Sequence, residues 1–476
     1  MSIYLAVDLG TTGCRSILFD DALSELASAY EEYGLITPDA RSVEQDAELW
    51  WELTLRTAKA AIDKSEIDPL GIKGISISSQ GITIVPVDRE LKPMCNALTW
   101  LDMRAEEETA FLREDYGDGA MFTLTGKHID AAYTLPKLLW MKKHMAETFN
   151  NAWKFLMPMD FLIARLTGQC VTDHSMASGT LLFDIKNGVW SREILDRYGI
   201  PEEKLPEIRR SGACAGKILP HVAAELGLGP DCVAAVGAQD QKCAALGAGL
   251  DMKTMTISLG TAAAVTKKWA SPLTEEHTAV GWGGYAEEGA WVTEGVVNTA
   301  GTCLRWLRDI AYRGESYRVL DEEAEHVRRN NTVLFIPNMS GAPSPGYHPE
   351  EEGCFYGINL STVRGNLAAA VMEGIAFEIR ELLGKMDAYG NVERMVIFGG
   401  GAKSDLWCRI IADVTGLSLT VPTTAEAAGA GAAILAAKAV GVCLPPLPEA
   451  RVFTPSEDRT PYEERYRAYC SLKNRN

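Results

Sequence analysis

The stretch Leu5-Ala-Val-Asp8-Leu-Gly10-Thr11-Thr12-Gly13-Cys-Arg15-Ser-Ile-Leu-Phe-Asp20 constrains the fold more than any other. It is an apolar strand carrying one acid, then a Gly/Thr turn, then a second apolar strand. A carboxylate in a hydrophobic strand is costly unless a cation or a donor meets it. Asp8 therefore calls for a metal ion or a charged partner. Gly10 and Gly13 permit positive φ and close backbone approach, so the turn can aim amide N–H groups at an anion while Thr11 and Thr12 add hydroxyls. A phosphate with Mg²⁺ meets both demands, and an ordinary tight hairpin with a satisfied aspartate is the plain alternative.

The scheme returns near the middle of the chain. Met255-Thr-Ile-Ser258-Leu-Gly260-Thr261-Ala-Ala-Ala-Val265-Thr repeats the apolar strand, the Leu-Gly-Thr turn and the returning strand, with Ser258 in place of the acid. At 476 residues the chain exceeds the size of one core, so two domains of about 200 to 250 residues are expected. Two domains that open on the same device imply a duplicated α/β fold whose halves face each other across a central cleft, with a nucleotide between the two turns. Asp8 would then be the single metal-side carboxylate, while a plain hairpin remains the alternative for Gly260-Thr261.

A formal charge of −18 argues against nucleic acid and against an anionic membrane surface, both of which select Lys and Arg. It leaves ATP open, because backbone amides, a metal and one or two cations make a locally positive site. The 11 cysteines contain no CxxC pair and the 7 histidines form no ligand-spaced cluster with them, so neither a zinc site nor a disulfide framework is supported. A strand from the first residues, with no leader-like segment and no run of about 18 apolar residues, reads as cytoplasmic.

Further along, Asp46 to Asp63 has helical periodicity, and Ile72-Lys-Gly-Ile-Ser-Ile-Ser-Ser-Gln80-Gly81 is an alternating strand with a polar end. The 233–238 strand leads through Gln239-Asp240-Gln241 into a small-residue helix. Val396-Ile-Phe-Gly399-Gly400-Gly401-Ala-Lys403-Ser404-Asp405 is a buried strand entering a glycine turn before another helix. There the glycines would let a flat ring approach the backbone, with Ser404 or Asp405 as the helix cap; a strand-to-helix turn that needs positive φ is the other reading. The Ala/Gly-rich run 425–442 contains Lys438 and reads as a buried helix packed closely on a neighbour.

Taken in order, these motifs resemble the FGGY carbohydrate kinase family over essentially the whole chain. Asp8-Leu-Gly-Thr-Thr is similar to the family's first phosphate motif, Ser258-Leu-Gly-Thr261 to its second and Phe398-Gly-Gly-Gly401-Ala-Lys-Ser to its adenosine motif. Gly353-Cys-Phe-Tyr-Gly357-Ile358 with Asn366 through Glu373-Gly374 is similar to its C-terminal signature. The resemblance implies an actin/hexokinase/Hsp70-like, ribonuclease H-like duplicated fold, with a sugar-binding domain over 1–247 and a C-terminal domain over 248–476. It implies ATP and Mg²⁺ as cofactors and a small sugar as substrate. Asp240 becomes the general base, Asp8 the metal ligand, and Gly10, Thr11, Thr12, Arg15, Gly260 and Thr261 the phosphate holders. Gly400, Gly401 and Ser404 fall to the adenosine side. Gln80, Gly81, Trp100, Asp102 and Arg104, with Asp240, fall to the sugar. In Trp100-Leu-Asp102-Met-Arg104 the alternate spacing puts three side chains on one face if the segment is extended; outside the family it would read as a surface ion pair beside a core Trp. Outside the family, too, Asp240 would read as an N-cap. A homodimer is compatible with the resemblance.

The sequence departs from the family's patterns in two loops. Ser78-Ser79-Gln80-Gly81-Ile82-Thr83 lacks the Arg-Glu pair of glycerol kinases, and keeps the Gln and Gly but not the Met-His of the Gln-Met-His-Gly usual in xylulokinases. The expected acceptor is a ketose or polyol, foremost a pentulose of the xylulose type, with hexuloses, alditols and aldonates as alternatives. Asn338-Met-Ser-Gly341-Ala-Pro-Ser-Pro345 lacks the family's Gly-Glu-Arg. A nucleotide-gated binding protein of the Hsp70 or actin type would need an Asp-x-Gly-Gly-Gly-Thr second loop and a peptide-binding domain, and neither is in the sequence. A sugar sensor without catalysis would have no use for Asp240 and Asp8. Cys14 and Cys243 read as small core residues, with redox sensitivity as the alternative.

Overall fold

The computed structural model describes residues 2–275, 280–341, 351–387 and 391–473. Contacts divide the chain into two compact units. The first runs to Gly249 and takes in Trp269–Val292 and Glu426–Leu447; the second holds Leu250–Lys268, Thr293–Ala425 and the chain from Pro448.

In the first unit, β1 (Ile3–Leu9), β2 (Gly13–Phe19) and β3 (Glu25–Glu32) form an antiparallel meander. The helix α1 (Ala47–Ser65) follows, capped by Asp46, which accepts from the Glu48 amide. Next, β4 (Ile72–Ser79) adds parallel to β1, and β5 (Val233–Ala235) adds parallel to β4. The order is thus third, second, first, fourth, fifth. In the second unit the strands are β6 (Thr254–Leu259), β7 (Ala263–Trp269), β8 (Trp291–Val297), β9 (Arg394–Phe398) and β10 (Ser418–Pro422). They repeat that order, with β6 antiparallel to β7 and parallel to β9, and β9 parallel to β10. The duplication inferred from two short motifs therefore extends to whole-sheet topology. This is the two-domain α/β fold that the motif order implies.

Burial on both faces explains the long apolar strands: in β1 every residue except Asp8 is buried. The small-residue run forms the helix Ala427–Ala439, almost wholly buried within the first unit. It packs against the helix Asp240–Gly247 so closely that a Cβ on Gly431 would lie 1.9 Å from the Cys243 carbonyl oxygen, and one on Gly247 2.1 Å from that of Ala427. Glycine is required there for approach.

Candidate functional site

In the first unit the site grows from one edge of the sheet. The strands β1, β4 and the short β-segment Ala238–Gln239 run parallel, and Ala238 and Gln239 pair with Ser78 and Ser79. Their carboxyl ends therefore deliver the Gly10–Gly13 turn, the Gln80 loop and Asp240 to a common edge, where open α/β sheets bind ligands. Gly237 makes this junction possible, because a Cβ there would sit 1.8 Å from the Ile77 carbonyl oxygen.

Asp8 lies between Arg15 on β2 and Ser78 on β4. Ser78 Oγ donates to Asp8 Oδ1 at 2.8 Å. Burial pushes the Asp8 carboxyl up to about 6; Ser78 opposes the rise, Glu426 adds to it and Arg15 opposes it. Arg15 pairs with Glu426 at 3.2 Å and stacks its guanidinium 5.0 Å over the Tyr30 ring. Among the described residues no group of three or more His, Cys, Asp or Glu could hold a metal ion. A lone carboxylate suits Mg²⁺, which takes one or two protein oxygens and completes its shell with phosphates and water.

The turn closes with the Gly10 amide donating to the Gly13 carbonyl at 3.0 Å. Positive φ, which these glycines permit, is found at neither. The constraint at Gly13 is space, since a Cβ would lie 2.4 Å from the Tyr30 ring. Thr12 is exposed, whereas Thr11 Oγ1 accepts from the Trp100 indole N–H at 2.9 Å. A polar chain continues behind it. Gln45 Nε2 donates to the Thr11 carbonyl at 2.7 Å, and Gln80 Nε2 donates to Gln45 Oε1 at 2.7 Å. The Gly10–Gly13 turn, Trp100 and the Gln80 loop are thus one network, in which Gly81 approaches the Gln239 side chain.

Trp100, Asp102 and Arg104 do not share one face. The segment is a turn, with the Asp102 amide donating to the Thr99 carbonyl at 3.0 Å, so the extended arrangement is corrected. Trp100 is exposed, while Asp102 is fully buried and accepts from the Val43 amide at 2.7 Å and from Arg104 Nε at 2.9 Å. Arg104 also binds Glu44 at 2.7 Å and lies over the Trp140 ring. The acid and the guanidinium therefore brace the loop from within, and Trp100 is the member that faces outward. Lys137, fully buried, ties the same turn down by donating to the Thr99 carbonyl at 2.6 Å and to that of Ala132. Burial holds its ammonium down to about 7.

Asp240 is the first residue of its helix, and the cap is Gln239, whose side chain accepts from the Gln241 amide at 3.1 Å. The N-cap reading of Asp240 is thereby displaced. Gln239 Nε2 donates to Asp240 Oδ1, and the Gln241 amide does so at 2.6 Å. Behind them the Gln239 amide donates to Ser175 Oγ at 2.9 Å, and Ser175 Oγ donates to the buried Asp173 at 2.9 Å. Cys14 and Cys243 are buried; burial pushes the Cys14 thiol up to about 11 and the Cys243 thiol far up, which keeps both protonated and inert.

The second unit contributes a cavity of about 670 Å³, ordinary for a small-molecule site. Gly260 and Thr261 line it together with Gly400, Gly401 and Ser404, so the second turn and the glycine motif meet in one place. Gly301 fixes the turn by donating its amide to the Gly260 carbonyl at 3.0 Å. Positive φ, required by the turn reading, is found at Gly399, which takes φ 93°, while Gly400 leaves open space on the cavity side and Gly401 abuts Leu259. Ser404 is the helix cap and accepts from the Trp407 amide at 3.0 Å. Of the loop 338–345, residues 342–345 lie outside the described residues.

Nothing local in the sequence marks Gln45, Asp173, Ser175, Glu426 or Lys137 as a site residue. Only the pairing of distant segments brings them in.

Two family models match the chain: the N-terminal domain of the FGGY family of carbohydrate kinases over residues 3–247 and the C-terminal domain over 255–440. The chain belongs to the FGGY family of carbohydrate kinases, and its activity is ATP-dependent phosphoryl transfer to a sugar. Among curated relatives, a xylulose kinase of Bacillus subtilis (strain 168) is 30% identical over 92% of this chain and 88% of its own. A glycerol kinase of Thermococcus gammatolerans is 31% identical over 92% of this chain and 89% of its own. The crystal structure of a xyloylose kinase from Brucella ovis superposes with a TM-score of 0.91 at 29% identity, covering 99% of this chain and 98% of that one. No helix among the described residues is long and apolar enough to cross a membrane.

Proposed function

We propose that this enzyme phosphorylates a hydroxyl of a pentulose of the xylulose type, with Asp240 as general base. The observation that carries the reading is the common strand edge. Asp240, steered by Gln239 and Gln241, emerges beside the Gln80 loop and the Gly10–Gly13 turn. A sugar hydroxyl is a weak nucleophile at neutral pH, so a held carboxylate that accepts its proton as the phosphoryl group moves lowers the barrier. Trp100 walls the sugar and Gln80 orients it, while Asp102 and Arg104 keep that loop in shape.

Gly10, Thr11, Thr12, Arg15, Gly260 and Thr261 hold phosphates through amides, hydroxyls and one guanidinium; Gly400, Gly401 and Ser404 hold the nucleoside. Mg²⁺, held by Asp8, would neutralise charge on the β- and γ-phosphates when bound. The domains over 1–247 and 248–476 divide this work into sugar and base on one side and nucleoside on the other. A homodimer in the cytoplasm is the proposed setting.

The sugar class rests on what the 78–83 loop keeps and lacks, and on xylulose kinases recurring among the relatives. A glycerol kinase is as similar overall, so glycerol belongs in the assay. ADP release is to be measured with pentuloses, hexuloses, alditols including glycerol, and aldonates. A pentulose is expected to give the highest kcat/KM, and Asp240→Asn is expected to lose about 10²- to 10⁴-fold in kcat. Wild-type turnover by the Asn variant would remove Asp240 from its role; a better glycerol or aldonate substrate would overturn the sugar class.

A further inference from the structure

The nucleotide cavity holds an acid that neither the motifs nor the mechanism use. Asp321 lies on the helix Tyr317–Val327 and lines the cavity beside Ser404 and Trp407. Its Oδ1 is buried, yet it accepts no hydrogen bond from any donor among the described residues. A desolvated carboxylate oxygen without a donor is uncommon in folded proteins and calls for an explanation. Arg305 and Lys403 line the same cavity, and among the described residues neither forms an ion pair with Asp321. Burial pushes the Asp321 carboxyl above its usual range, with Ser404 opposing, Asp405 adding and Glu322 adding.

Charge sorts what this oxygen can meet. A carboxylate repels phosphate, so it does not belong to the phosphate end, which the Gly260–Thr261 turn provides. Leu304, Tyr317 and Trp407 line the same cavity, a wall suited to a flat, largely apolar ring with polar edges. A nucleoside offers neutral donors of the right kind, in its ribose hydroxyls and its exocyclic amine.

We propose that Asp321 accepts a hydrogen bond from the nucleoside part of the phosphoryl donor and determines nucleotide specificity. The proposal rests on the reading of this cavity as the nucleoside site. Binding of ATP, 2′-deoxy-ATP and the triphosphate of purine riboside, which lacks the exocyclic amine, is to be measured by calorimetry for the wild type, Asp321→Ala and Asp321→Asn. One of the two analogues is expected to bind the wild type about 10- to 100-fold more weakly than ATP. The deoxy arm assigns the contact to ribose and the des-amino arm to the base. In Asp321→Ala that discrimination should collapse to within about 3-fold while ATP itself weakens. The Asn variant, which keeps an acceptor in place, should recover part of both. Unchanged ATP affinity and unchanged ratios in the Ala variant would overturn the role of Asp321 while leaving the nucleotide site standing. Failure of the wild type to bind ATP would remove the site reading and the proposal together.

Discussion

Gln45 joins two loops through its two amide ends: its nitrogen reaches the Thr11 carbonyl and its oxygen accepts from Gln80. Both glutamines are buried, so removing one partner strands the other. Gln45→Leu is expected to destabilise the fold by about 1–3 kcal/mol. The same change should raise KM for sugar and for ATP together by about 3- to 10-fold, because one residue braces both loops. Steady-state kinetics with a thermal melt checks it, and a rise in only one KM would break the link. Glu373, paired with Arg465 at 2.8 Å, is a buried acid held at about 7 by burial while Arg465 pulls the other way. Its ordinary value is 4.5, so between 4.5 and about 7 the folded chain binds a proton that the unfolded chain has released. The stability this supplies is present below pH 4.5 and is lost as pH rises through 7. Urea melts from pH 5 to pH 8 should show the wild type losing about 1–3 kcal/mol more than Glu373→Gln. Parallel pH profiles for the two proteins would contradict it.

At the scale of elements, glycine has opposite meanings in two helices. Gly431 crosses the helix Asp240–Gly247 at backbone contact, and an added Cβ would meet the Cys243 carbonyl oxygen at 1.9 Å. Gly431→Ala must push the two helices apart and should cost about 1–3 kcal/mol, with loss of activity because Asp240 starts the displaced helix. Gly384, inside the helix Arg364–Met386, lies at the surface, and an added Cβ there would meet nothing within 4 Å. Gly384→Ala should stabilise by about 0.5–1 kcal/mol through helix propensity and a less flexible unfolded chain. Denaturant titration of the two variants gives opposite signs if the contacts are right. The small-residue composition of the sequence exposes the helices Asp240–Gly247 and Ala427–Ala439, and turn chemistry exposes the two Gly/Thr hairpins, since both signals are local. It misleads at 100–104, where alternate spacing implies an extended segment. There the Asp102 carboxylate is satisfied by Val43 and Arg104, and that pull folds the segment into a turn.

Over the whole molecule, the partial echo of 5–20 at 255–266 carries the duplication, because each hairpin starts a sheet of the same strand order. What stays hidden in the sequence depends on long-range pairing: Gln45 meets Gln80, Ser175 supports the Asp240 turn, and Glu426 returns to the first unit to face Arg15. None has a motif, and each is recruited by a strand edge or a returning segment. Division of labour between the units gives the broadest test. Gly260, Thr261, Gly400, Gly401 and Ser404, proposed above to hold the nucleotide, line a cavity within the second unit, whereas Gln80, Trp100 and Asp240 belong to the first. Ligand binding to the folded state slows local opening where the ligand makes its contacts. In hydrogen exchange, ADP alone should therefore protect amides in 300–327 and 399–415, and the sugar alone those in 78–104 and 239–247. With ADP at about 100 times its Kd, protection of amides that exchange only by opening the bound site should rise by about 2.7 kcal/mol. ADP protection confined to 78–104, with 399–415 unchanged, would refute the assignment of the nucleoside to the second unit, because Gly400, Gly401 and Ser404 could not then be touching it.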